Sequence, residues 1–110
     1  PAFARDTHRR FADLFARIVL RAPLAPLEAG VAPEQWRQEI LAAAGGPLPE
    51  DPWQQLEQAI RAVFDSWNGR RAKRYRQHHG IADGLGTAVT IQAMVFGNSD
   101  QASGTGVLFS

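Results

Sequence analysis

The sequence predicts a mostly helical chain that closes on a small C-terminal β-hairpin, an α+β arrangement. Two observations carry this. Apolar residues recur at helical spacing, punctuated by acidic caps, prolines and glycines, as far as Gly80; from Thr87 the apolar period drops to two. Residues 1–80 therefore read as a helical subdomain of about four helices with a proline-rich loop near 22–33, and residues 81–110 as a truncated β-hairpin.

The first helix is expected to start at Asp6 as N-cap, with Phe11, Leu14, Phe15, Ile18 and Val19 sharing its apolar face. Arg9, Asp13 and Arg17 follow at ion-pairing spacing on the other side. The stretch "RAPLAPLEAGVAP" breaks the period and is a loop. Pro33 suits the first turn of a second helix, whose Trp36, Ile40 and Leu41 face inward and whose end is marked by "GGP".

A third helix has Asp51 as cap, Pro52 at its first position and Gln54 in the place of a capping-box partner. Trp53, Leu56, Ile60, Val63, Phe64 and Trp67 form its stripe, and Asn68-Gly69 stop it. The fourth, "RRAKRYRQHH", is expected to turn Ala72, Tyr75 and His79 inward and its arginines to water, with Gly80 closing it.

In the expected strand Thr87–Phe96 both faces are largely apolar, so it needs cover on both sides. "GNSDQAS" supplies a polar turn and Gly104–Phe109 the partner strand, on which Gly104 and Gly106 leave one face bare for close approach. Gln92 is a lone amide among apolar neighbours. It either bonds water or backbone, or lines a pocket for a flat polar ligand beside Met94 and Phe96.

Composition removes several functions. The 110 residues include no cysteine, which excludes disulfides, thiolate metal sites and a cysteine nucleophile, and fits a cytoplasmic setting. No apolar run approaches the roughly 20 residues of a membrane span, so no membrane partner is expected. Net charge is +1, but five of the twelve basic residues cluster as Arg70, Arg71, Lys73, Arg74 and Arg76. With only Tyr75 interleaved, this reads as a solvated helix face, and a nucleic-acid partner is disfavoured. His78 and His79 are adjacent and cannot chelate one metal from a helix, and no carboxylate pair suggests acid–base work. No catalytic or metal-ligating residue is assigned.

Longer motifs say more. "DPWQQLEQAIRAVFDSWNGRRAKRYRQHHGI" followed by "GTAVTIQAMVFGNSDQASGTGVLFS" resembles part of the nucleotide-binding region of the pyruvate, phosphate dikinase family. The pieces are DPWxQLxxAIxAVFxSW from Asp51, RAxxYR from Arg71, GTAVxxQAMVFGN from Gly86 and SGTGVxF from Ser103. "RRFADLFARIVL" resembles the family's first helix in this region more loosely, and the chain departs from the family between Arg21 and Pro49.

The resemblance implies a partial ATP-grasp subdomain within a magnesium-dependent phosphotransferase, a kinase that interconverts ATP, phosphate and pyruvate with AMP, pyrophosphate and phosphoenolpyruvate. A phosphohistidine on another domain carries the phosphoryl group, and it is none of His8, His78 or His79. The resemblance places Gln92, Met94 and Val95 beside ATP as the nucleotide-binding residues. It implies that the metal- and phosphate-binding carboxylates lie beyond Ser110, so that this piece alone is inactive and holds neither ATP nor magnesium tightly. Its partners would be the remaining domains of the parent enzyme and ATP, with a homodimer through the exposed strand edge as a further expectation. Two rivals stand beside this reading: a free-standing helical interaction module, and a basic-helix nucleic-acid-binding domain.

Overall fold

The computed structural model describes residues 2–98 and 100–109. Four α-helices follow one another: α1 (Ala2–Leu14), α2 (Pro33–Ala44), α3 (Pro52–Ser66) and α4 (Arg70–His79). A π-helical turn, Phe15–Val19, prolongs α1, and a short 3-10 turn, Asp83–Leu85, follows α4.

The core belongs to α1, α2 and the proline-rich loop. Ala12, Ala16, Ala22, Leu27, Trp36 and Ile40 are buried together, with Leu24, Ala43, Ala44 and Leu48 packed against them. The loop is stapled to α1 through one residue. The Leu27 N–H donates to Asp13 Oδ1 at 3.0 Å, and the Leu27 carbonyl accepts from Arg9. Each proline removes a backbone donor from the loop, and with no regular ladder the remaining groups take partners on the neighbouring helix.

That staple rotates α1 away from its expected face. Phe15 is buried, but Phe11, Leu14 and Ile18 stay substantially exposed, while Ala12, Asp13 and Ala16 face the core. Small residues there let the loop come close. Asp6 is no cap either: the helix begins at Ala2, and Asp6 instead accepts from Arg9 and Arg10 along its surface.

Local signals fare better. α2 begins at Pro33 with Trp36 and Ile40 buried, and ends on Gly45 in the left-handed conformation at φ 72°, although Leu41 is exposed. Asp51 caps α3 by accepting from the Trp53 N–H at 3.1 Å. The glutamine that supports this turn is Gln55, bonded to the Pro49 carbonyl, rather than Gln54. No residue of α3 is fully buried; Val63 remains exposed beside Phe11, Leu14 and Ile18, and Phe64 is exposed as well. Gly80 closes α4 at φ 64°.

The β-hairpin is not formed. Among the described residues there is no strand, so the chain is helical with an irregular C-terminal segment, and the α+β class is overturned. Only the turn keeps a hairpin-like path. Asp100 accepts from the Ala102 N–H and the Ser103 hydroxyl, both at 2.9 Å, and a Cβ on Gly97 would lie 2.7 Å from the Gly104 carbonyl oxygen. Ser99, which falls within the expected turn "GNSDQAS", and Ser110 lie outside the described residues.

The physical reason is that alternation is not pairing. A two-stranded ribbon is marginal in water, and Gly104 and Gly106 weaken its second arm. Among the described residues no strand or helix covers Val95, Val107, Leu108 or Phe109, all of them exposed. The strand edge through which a homodimer was expected is therefore absent among the described residues. Close approach occurs between Gly97 and the Gly104 backbone, while Cβ atoms added at Gly104 or Gly106 would meet open space.

The molecule is extended for its length. Its radius of gyration is 17.0 Å, where a compact chain of this size has about 13 Å. Its accessible surface is 9125 Å², against about 6,000 Å² for a folded monomer of this mass.

Candidate functional site

Three side chains set where the C-terminal segment departs from the helices. Arg76 is 2% exposed despite its charge. Its Nε donates to Asp83 Oδ1 at 2.7 Å, its Nη1 donates to the Trp67 carbonyl at 2.6 Å, and its guanidinium lies 4.0 Å from the centroid of the Trp67 ring. The Trp67 indole N–H in turn donates to the Asp83 carbonyl at 3.0 Å.

The end of α3, the middle of α4 and the 3-10 turn thus meet at one cation. The planar guanidinium donates in-plane while offering its face to an aromatic ring, a combination lysine cannot copy. Sequence reasoning placed Arg76 in a solvated face; its partners, 7 and 9 residues away, are not on its own helix. Arg70, Arg71, Lys73 and Arg74 are exposed as expected. Tyr75, expected inward, is exposed with its ring 4.2 Å from that of His79.

Beyond Gly86 runs the segment holding the three expected nucleotide residues. Gln92 is exposed and makes no hydrogen bond to a described residue, so its amide offers both a donor and an acceptor to a ligand. Met94 and Val95 are 72% and 92% exposed. The segment touches the helices where the Phe96 ring meets Phe3 of α1 edge to face, 5.8 Å between centroids. These three residues lie on one extended run, but no opposing wall faces them among the described residues.

Carboxylates are tuned elsewhere. Burial raises the Asp13 pKa, but hydrogen bonds from the Arg17 side chain and the Leu27 N–H outweigh it and leave the carboxyl below its usual value. The Ser103 hydroxyl and the backbone N–H groups of Ala102 and Ser103 lower Asp100. Among the described residues, no three histidines or carboxylates gather where they could hold a metal ion. None of the helices is long and apolar enough to cross a membrane.

Comparison with known proteins places this geometry. The family described as "Pyruvate phosphate dikinase, AMP/ATP-binding domain" matches residues 19–110. Pyruvate, phosphate dikinase 2 of Zea mays is 40% identical over 130 residues, covering 98% of this chain and 15% of the relative. Pyruvate, phosphate dikinase 1, chloroplastic, of Arabidopsis thaliana is 43% identical, again over 98% of this chain and 14% of its own length. The chloroplastic enzyme of Flaveria pringlei is 41% identical over the same shares. The chain thus spans about 15% of the length of the curated relatives it matches. No solved structure matches it. The match runs from the π-helical turn through the Arg76 junction and Gln92 to the end of the chain, and the chain belongs to the pyruvate phosphate dikinase AMP/ATP-binding domain family.

Proposed function

We propose that this chain supplies one side of an ATP site in a pyruvate, phosphate dikinase, the phosphotransferase that interconverts ATP, phosphate and pyruvate with AMP, pyrophosphate and phosphoenolpyruvate through a phosphohistidine carried elsewhere. The observation that carries this reading is the family match over residues 19–110, which includes the run with the unpartnered Gln92 amide.

An amide pairs well with adenine because its donor and acceptor meet the ring's amino group and ring nitrogen together. Gln92 takes that part, Met94 gives an apolar contact and Val95 a backbone one. The described residues do not fit magnesium, since no group of three ligands gathers. In this reading the ion and the phosphates are held by residues outside the chain, and the chain alone does not catalyse.

The uncovered surface supports the remaining domains as partners. Phosphoryl transfer depends on fixed cations and metal around the phosphates, so a single wall of the cleft grips ATP weakly. Residues 1–80 act as the helical support and residues 81–110 as the nucleotide-side segment, part of an ATP-grasp subdomain. A cytoplasmic placement is carried into the proposal on the cysteine-free composition; the Arabidopsis thaliana relative is named chloroplastic.

Titration of the chain with AMP and with ATP, followed by amide NMR, tests the assignment. Shifts confined to Gln92, Met94, Val95 and their neighbours are expected, and Gln92→Ala removes them. Shifts centred on Arg70–Arg74 instead, driven equally well by nucleotide-free polyphosphate, would replace adenine recognition with nonspecific anion binding.

A further inference from the structure

A cleft of about 410 Å³ opens between α1, α2 and the start of α3, away from the nucleotide segment. That volume falls within the range of small-molecule sites. Its bed is apolar: Trp36 is 2% exposed, and Leu41 and Leu48 line the cleft beside it.

Its rim carries opposite charges that do not satisfy each other. Arg37 lies over the Trp36 ring at 5.5 Å and has no carboxylate within 4.0 Å among the described residues; Glu50, also on the rim, has no cation within that distance. His8, whose ring meets Trp36 edge to face at 5.3 Å, lines the same cleft. Gln55 holds the rim in shape through its 2.6 Å bond to the Pro49 carbonyl.

We propose that this cleft binds a small zwitterion with an apolar side chain, of the class of an apolar α-amino acid, with its carboxylate on Arg37 and His8 and its ammonium on Glu50. A ligand with both charges bridges the gap that separates Arg37 from Glu50, and its side chain lies on Leu41 and Leu48. Neither charge alone explains why both signs border one apolar bed. The site is independent of the nucleotide reading: most of it comes from α2 and the turn after it.

Titrating the whole chain with L-phenylalanine, while following the Trp36 indole and His8 ring resonances, tests the proposal. Saturable shifts are expected, with binding about tenfold weaker for 3-phenylpropionate and for 2-phenylethylamine, each lacking one charge-assisted contact. Arg37 and Glu50 are exposed, so Arg37→Ala and Glu50→Ala keep the fold and each weaken phenylalanine about tenfold, whereas Arg61→Ala changes nothing. Absence of a saturable shift, an affinity for 3-phenylpropionate equal to that for phenylalanine, or unchanged binding in Arg37→Ala overturns it.

Discussion

Arg76 and Asp83 close the junction between the helices and the C-terminal segment, Nε to Oδ1 at 2.7 Å, and the two partners are unequally placed: the arginine side chain is 3% exposed and the aspartate 81%. An exposed carboxylate is easily replaced by water, whereas a buried guanidinium that loses its surroundings is not. The pair is therefore an arginine socket with an acidic rim rather than a symmetric ion pair.

Unequal costs follow. Arg76→Ala removes the Trp67 stacking, the bond to the Trp67 carbonyl and the packing of the stem, and is expected to cost about 2–3 kcal/mol. Asp83→Asn keeps an acceptor at the rim and is expected to cost under about 1 kcal/mol. Thermal unfolding followed by circular dichroism measures both, and equal losses would mean that the ion pair, not the Trp67 socket, holds the junction.

The Asp13 carboxylate gives the chain an acid-sensitive staple. Its pKa is lowered in the fold below the usual 3.8, so the unfolded chain takes up a proton first as pH falls. The stabilisation is complete above the unfolded value and is lost as pH drops through the lower, folded one. Asp13→Asn should cost about 1–3 kcal/mol at neutral pH, because Arg17 loses its charged acceptor while the Leu27 N–H keeps an oxygen. Melting at pH 7 and pH 3 should show a smaller acid-induced drop in the variant than in the parent chain.

Most helix ends were legible in the sequence because their signals are local; Asp6, expected as the cap of α1, lies inside that helix instead. Asp51-Pro52, Pro33, Gly45 and Gly80 do what their types dictate within a turn or two. The face of α1 was not legible. Its orientation depends on Leu27, 14 residues beyond Asp13, and a hydrophobic period cannot tell which side a distant loop will choose. The Arg76 socket was hidden for the same reason, since a basic run looks solvated until a tryptophan and an aspartate from neighbouring elements surround one member of it. Of the candidate site, the sequence motifs located the run of Gln92, Met94 and Val95, but motifs carry no information on whether an opposing wall is present.

The cap at Asp51 matters locally, because α3 has no fully buried residue to anchor its first turns. Asp51→Ala is expected to destabilise by about 1 kcal/mol, near the usual value for a lost cap. Amide exchange should speed up at Trp53 and its neighbours while α2, tied down by Trp36 and Ile40, stays protected. Uniform acceleration in both helices would show that α2 and α3 open together.

The alternation from Thr87 to Phe96 does not produce a strand among the described residues. Backbone groups in the run have no ladder bonds among the described residues, and Ile91, Met94 and Val95 are largely exposed. Amides of residues 88–96 are therefore expected to exchange at nearly unprotected rates in this chain, while those of α2 are slow. Protection of these amides in the 110-residue chain would mean that contacts order the segment after all, by self-association if the protection grows with concentration.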